Sequence, residues 1–326
     1  MATQDQLDRL AAAALSHYDL AADATATLIN VSENWTFRVD DPGTGRRAAL
    51  RMHRPGYHDA AEIESELTWL EALRDDAVVE TPTVVPTREG ASVLSVSLDE
   101  LEQPRNVVLF DWIDGAAPTA EDVPSFVRLG AVSARMHAHS RRWTRPPSFV
   151  RFSWDYSTTL GPDGHWGRWQ DGLGMTPEVL GLLTRLDETI RRRLERYGKG
   201  HGRFGLTHAD LRIANLLVDG DRTIVIDFDD CGPAWFMYDW ATAVSFIEDH
   251  PQVPELQAAW VDGYRSVASL SPEDEAELPT FVMLRRLLLT AWIGSHHTFA
   301  TEAAELGAGY TAGTCELAES YLADHS

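Results

Sequence analysis

The run His208-Ala209-Asp210-Leu211-Arg212-Ile213-Ala214-Asn215, followed by Asp227-Phe228-Asp229, gathers a carboxylate, an amide and a second carboxylate in a short length of chain. These residue types suit phosphoryl transfer. That chemistry needs a group to orient or deprotonate an attacking hydroxyl, a role open to Asp210. It also needs oxygen ligands for the Mg²⁺ that neutralises charge on the transferred group.

The elements around these residues must bring them together. Leu216-Leu217-Val218 is apolar, Asp219-Gly220-Asp221-Arg222 is a turn signal, and Thr223-Ile224-Val225-Ile226 is rich in β-branched residues. The pattern predicts a β-hairpin. Its open ends are Asn215 and Asp227, so an amide oxygen and a carboxylate arrive at one spot, as a hard Mg²⁺ requires. Asp210 lies on the loop entering the hairpin, within reach of a substrate hydroxyl. The spacing of His208, Asp210 and Asn215 is H-x-D-x-x-x-x-N, the pattern of a kinase catalytic loop. Aspartate and asparagine also favour turns and caps, but that preference does not account for matched positions at both ends of one hairpin. His208 is expected to bond backbone near the loop rather than to act as the base.

Phosphoryl transfer from a nucleotide also needs a cation for its phosphates and an acid to hold that cation. A helix is expected over 59–73, with Asp59 as its N-cap. Ile63, Leu67, Leu70 and Leu73 define its apolar arc, and Glu66 falls inside it. A carboxylate there needs a partner, and the strand Ala48-Ala49-Leu50-Arg51-Met52 offers Arg51. The loop Val31-Ser32-Glu33-Asn34 provides Ser32 and Asn34 as hydrogen-bond donors to phosphate, without a G-x-G-x-x-G pattern. The segment Val108-Leu109-Phe110-Asp111-Trp112 leads out of the small sheet, and its backbone around Phe110 and Trp112 is placed to bond an adenine edge.

A chain of 326 residues is long enough for about two domains. Strands are expected at 25–30, 35–39, 46–52, 83–86, 92–97 and 106–112, after a short helix at 4–18. Helical periodicity then dominates, at 121–139, 177–197, 235–249, 252–267 and 272–296. The run Arg191-Arg192-Arg193 is expected on a solvated face. Residues 141–175, rich in Trp, Pro and Gly, read equally as part of a substrate pocket and as a packed irregular excursion. The net charge of −22, from 28 basic and 50 acidic residues, argues against nucleic-acid or anionic-membrane partners. Cys231 and Cys315 form no disulfide framework, and Cys231 is expected to be a small buried residue. The first twenty or so residues lack the basic start of a signal peptide, and 287–293 is too short to span a bilayer, so a cytoplasmic location is expected.

The sequence resembles the aminoglycoside phosphotransferase and choline kinase group. The likeness rests on Ser32-Glu33-Asn34, Leu50-Arg51, Ser65-Glu66-Leu67, Phe110-Asp111-Trp112-Ile113-Asp114-Gly115 and the run from His208 to Asp239. Asp227-Phe228-Asp229-Asp230 with Gly232-Pro233 and Tyr238-Asp239 looks closest to the branch of type II homoserine kinases and the bacterial stress-response kinase. The resemblance implies an α+β, bilobal, protein-kinase-like fold, with a β-rich N-lobe over 1–112 and a helical C-lobe over 113–326. It implies that Asp210 is the catalytic base and that Asn215 and Asp227 are Mg²⁺ ligands, with Asp229 assisting. It further implies that Arg51, held by Glu66, contacts the phosphates of ATP. Arg51 stands where kinases usually carry lysine, and the two are not interchangeable. Asp239 is expected to cap a helix or brace the catalytic loop. The implied activity is ATP-dependent transfer to a small-molecule hydroxyl of an aminoglycoside, homoserine or another amino alcohol or sugar. The alternatives are a serine/threonine protein kinase and a non-catalytic nucleotide-binding regulator.

Overall fold

The computed structural model describes residues 3–32, 34–119, 122–220 and 222–325. Glu33 of the expected phosphate loop, Asp221 of the expected hairpin turn and residue 121 of the expected helix lie outside the described residues. The chain forms two compact units, Met1–Gly115 with Arg145–Val150, and Ala116–Thr144 with Arg151–Ser326.

In the first unit, α1 (Gln4–Leu15) starts at a capping box in which Thr3 and Gln6 satisfy each other's backbone amides. It is followed by β1 (Thr25–Val31), β2 (Trp35–Asp41), β3 (Arg46–Met52), α2 (Ala60–Asp75), β4 (Val84–Val85), β5 (Leu94–Val96) and β6 (Arg105–Asp111). The strands make one sheet in the order β1-β2-β3-β6-β4, with β5 also on β6. Alternation along β2 turns Trp35, Phe37 and Val39 inward, and the register sets Phe37 beside Leu50 and Leu50 beside Leu109. Leu7, Leu10, Ala11 and Ala14 of α1 close over this apolar face. Asp59 caps α2 as expected, through a capping box with Glu62. The two strands expected at 83–86 and 92–97 shorten to two and three residues.

The second unit contains α3 (Val123–Arg142), α4 (Tyr156–Thr159), α5 (Pro177–Tyr197), β7 (Phe204–Thr207), β8 (Leu216–Asp219), β9 (Arg222–Val225) and β10 (Gly232–Trp235). After these come α6 (Tyr238–Ala243), α7 (Val253–Arg265), α8 (Pro272–Ala276), α9 (Leu278–His296) and α10 (Thr301–His325). The helix expected over 235–249 is corrected. Residues 232–235 pair as a strand with β7, and only 238–243 are helical. Phe246 then takes a φ of 71°, which no helix continues through. The helix expected over 272–296 breaks at Glu277, and Pro279 sits in the first turn of the second piece. The solvated face expected for Arg191-Arg192-Arg193 fails at Arg193. Its Nε and Nη2 donate to Glu277 at 3.0 and 2.9 Å, tying α5 to the start of α9.

Helices α3 and α7 cross with almost no side chain between them. A Cβ on Gly130 would stand 1.9 Å from the Trp260 carbonyl oxygen, and one on Gly263 would stand 2.0 Å from that of Val127. Backbone cannot retreat cheaply there, so Gly130→Ala is expected to cost about 3 kcal/mol of stability. Gly181→Ala, in α5 with open space around it, is expected to stabilise by about 0.5 kcal/mol. Paired chemical denaturation curves check both.

Candidate active site

Strands β7 and β10 pair antiparallel, with Thr207 opposite Gly232. The loop leaving β7 carries His208, Ala209 and Asp210. The His208 ring is buried; Nε2 lies 3.0 Å from the Ile226 carbonyl, and Nδ1 accepts the Asp210 amide at 3.3 Å. These contacts select the Nε2–H tautomer and make His208 a backbone brace, as expected. Ala209 takes a φ of 64°, an uncommon value for a residue with a Cβ. Its amide donates to Asp239 Oδ1 at 3.1 Å, and the Leu211 amide donates to Thr242 Oγ1 at 3.0 Å. Asp239, wholly buried on α6, thus braces the loop. Its other oxygen pairs with His137 Nε2 at 2.8 Å.

The expected hairpin is β8 and β9, with Leu216 opposite Val225. Its open end is closed by the Ile226 amide, which donates to the Asn215 carbonyl at 2.9 Å. Asn215 and Asp227 are therefore neighbours. Asp227 has a φ of 61°, a second uncommon backbone value in the same site. The Asn215 amide nitrogen donates to the Asp210 carbonyl at 2.8 Å and to Asp210 Oδ2 at 3.0 Å. The nitrogen is thereby committed to Asp210, and the amide oxygen remains as the donor for a cation. Among the described residues no cluster of three His, Cys, Asp or Glu could hold a metal. The residues expected to hold a metal, Asn215, Asp227 and Asp229, are one amide and two carboxylates and so offer oxygen donors only. That fits a hard divalent ion completed by phosphate oxygens and water.

Asp229 and Asp230 are buried, and their backbone is fixed from residues 151–154. Arg151 donates to the carbonyls of Asp229 and, at 2.6 Å, of Cys231. Trp154 Nε1 donates to the Asp230 carbonyl at 2.6 Å. The Trp-rich segment is in this part a packed brace, with Trp154, Trp166 and Trp169 all buried. Cys231 is buried beside it, as expected.

Two arginines that sequence reasoning missed face Asp210. Arg285 of α9 reaches Asp210 Oδ1 through Nη2 at 2.6 Å, and Arg212 Nε lies 3.4 Å from Oδ2. Arg212 also pairs with Glu302 at 3.2 Å. Burial pushes both guanidinium groups down, but the oxygen acceptors beside them outweigh it. Tyr238 and Asp210 raise Arg285, and Asp210 and Glu302 raise Arg212 above the ordinary value. Burial pushes the Tyr238 hydroxyl up to about 12, so it stays protonated. The available signal was Arg285-Arg286 standing within the apolar run of 281–293, where an unpaired charge is not tolerated.

In the first unit, Arg51 Nη2 lies 2.7 Å from both oxygens of Glu66, and both side chains are buried. The expected ion pair is formed, and the Arg51 guanidinium lies 5.3 Å from the Phe110 ring centre. The Ser32 amide donates to the Asn34 carbonyl at 3.0 Å, and Arg54 donates to the Ser32 carbonyl. Asn34 is buried, with Oδ1 accepting the Arg54 amide at 3.4 Å. Phe110 is flanked on both sides, by Ala49 and Val84. The Asp111 amide donates to the Thr83 carbonyl at 2.9 Å and the Trp112 amide to the Arg47 carbonyl at 3.4 Å. Those two amides are thus engaged within the unit.

The model of the phosphotransferase enzyme family matches residues 25–277. A solved microcompartment-associated aminopropanol kinase is 50% identical, covers 97% of this chain and 98% of its own, and superposes with a TM-score of 0.90. An amicoumacin kinase solved with AMP-PNP and Ca²⁺ shares the fold at 19% identity, covering 96% and 94% of the two chains with a TM-score of 0.77. An uncharacterised protein of Deinococcus radiodurans is 30% identical over 284 residues, 85% of this chain and 79% of its own. Among the described residues no helix is long and apolar enough to cross a membrane.

Proposed function

The chain belongs to the phosphotransferase enzyme family, and on that premise we propose that it moves the γ-phosphoryl group of ATP to the hydroxyl of a small amino alcohol of the aminopropanol kind. The observation that carries this reading is the 50% identity, over nearly all of both chains, to a solved aminopropanol kinase. Asp210 accepts a hydrogen bond from the acceptor hydroxyl and takes its proton. The hydroxyl oxygen forms a bond to the γ-phosphorus as the bond to the β–γ bridging oxygen breaks, and ADP leaves. The Asn215 amide oxygen with Asp227 and Asp229 would hold Mg²⁺, which would supply positive charge against the phosphates. Arg51, oriented by Glu66, contacts the phosphates of ATP.

The test is ADP release with Mg²⁺ and ATP against aminopropanol, ethanolamine, choline, homoserine and an aminoglycoside, with product mass measured. The expected result is a phosphorylated amino alcohol, formed with kcat/KM at least about tenfold above homoserine, and loss of turnover in excess chelator. A product from the aminoglycoside alone would move the acceptor class. A phosphate-mass increase on protein only, or ATP binding without turnover, would overturn the reading.

A further inference from the structure

We infer that Arg285 is a positioning residue for the transfer step, aiming the Asp210 carboxylate at the acceptor hydroxyl. The inference rests on the function proposed above. Arg285 is 2% exposed and lies in a stretch of α9 that is otherwise apolar, between Leu284 and Leu287 to Leu289 except for Arg286. A buried guanidinium is tolerated only when its donors are met. Each edge of this one is fixed from a different part of the second unit. Nε donates to Ser245 Oγ at 3.2 Å, Nη1 to the Tyr238 hydroxyl at 3.1 Å, and Nη2 to Asp210 Oδ1 at 2.6 Å. The rings of Trp166 and Tyr238 lie 5.3 and 5.8 Å from its centre.

A planar fork held at three points has little freedom, and it passes that rigidity to its partner. Asp210 sits on a loop and would otherwise rotate about its side-chain bonds. Arg285 holds Oδ1, while Asn215 Nδ2 holds Oδ2 at 3.0 Å and Arg212 Nε stands 3.4 Å from that same oxygen. A carboxylate offers roughly four acceptor sites. With hydrogen bonds on both oxygens and Arg212 crowding one, the directions left for an acceptor hydroxyl are few and fixed. Arg286, the next residue, does different work: it pairs with Glu248 at 2.6 Å and with Thr314 at 2.9 Å, away from Asp210.

The experiment compares Arg285→Lys in two backgrounds. Lysine keeps the charge and loses the fork. In the otherwise native enzyme, kcat is expected to fall about 30-fold while both KM values stay within about threefold. In the Asp210→Asn background the same substitution is expected to cost no more than about twofold, because its target is gone. Guanidinium added to Arg285→Ala is expected to restore part of the lost kcat. Equal losses in both backgrounds, or an unchanged kcat, would overturn the inference. If Arg285→Lys loses its native circular dichroism, Ser245→Ala takes its place, freeing Nε while leaving the guanidinium intact. A kcat lowered about threefold at steady KM then supports the inference, and an unchanged kcat overturns it. Native enzyme that turns over no amino alcohol would overturn the proposed acceptor instead, leaving the comparison to be run on whichever acceptor is used.

Discussion

Asp210→Asn is expected to lower kcat by about 1,000-fold while ATP still binds, because the amide can neither accept the hydroxyl proton nor hold a negative charge. The geometry makes this the largest functional effect in the chain. Asp210 is held at once by Arg285 at 2.6 Å, by Asn215 at 3.0 Å and by Arg212 at 3.4 Å. The substitution also removes the anion beside Arg285, which is buried among α6, α9 and the loop after α6. Breaking a buried pair by removing one partner costs several kcal/mol, so a lower melting temperature is expected beside the kinetic loss. Nucleotide titration and a melting curve separate the two. Native-like turnover in Asp210→Asn would remove Asp210 from the chemistry.

What was legible in the sequence was local. The hairpin could be read because β-branched residues, a Gly-containing turn and the flanking Asn215 and Asp227 all lie within one continuous stretch, and its pairing is local. The Arg51–Glu66 pair was legible because Glu66 breaks an apolar arc that helical geometry makes unambiguous. The Asp59 N-cap of α2 was legible because it stands just before the first apolar-periodic turn; the Glu62 half of its capping box came only with the structure.

What was not legible depends on partners distant in sequence. Gly232-Pro233-Ala234-Trp235 becomes a strand only because Phe204–Thr207 lies beside it, and nothing in those four residues announces that partner. Helix α9 was expected within 272–296, but the break at Glu277 that parts it from α8 was not, because α9 is buried nearly all round and no change of apolar face marks its start. Helix α10 buries small residues such as Ala303, Thr314 and Ala318, bends at Gly307, and presents too weak an apolar stripe to be anticipated. The same cause hid Arg285: its partner Asp210 stands 75 residues earlier, and the pair exists only in the folded chain.

The Asp239 brace carries the largest expected effect on stability. Asp239 and His137 are both fully buried and 2.8 Å apart, and the other His137 nitrogen lies 3.2 Å from the Tyr264 hydroxyl. Asp239 also accepts the amide of Ala209, whose φ of 64° must be held against its own preference. Asp239→Ala removes both contacts and leaves a buried imidazole N–H and a buried amide without an acceptor. The expected loss is about 3–5 kcal/mol, read as a melting temperature lower by about 6–15 °C, together with reduced kcat as the loop relaxes. Asp239→Asn keeps an oxygen for Ala209, so a much smaller loss is expected. A pH dependence follows from the same pair. Burial lowers the His137 pKa more than Asp239 raises it, leaving the folded value below 6.5. The unfolded chain therefore binds the extra proton first, and stability is fully present above pH 6.5 and falls as pH drops below it. His137→Gln should flatten that acid limb in melts between about pH 5 and 7. A limb of equal slope in the variant would assign the acid sensitivity to other groups.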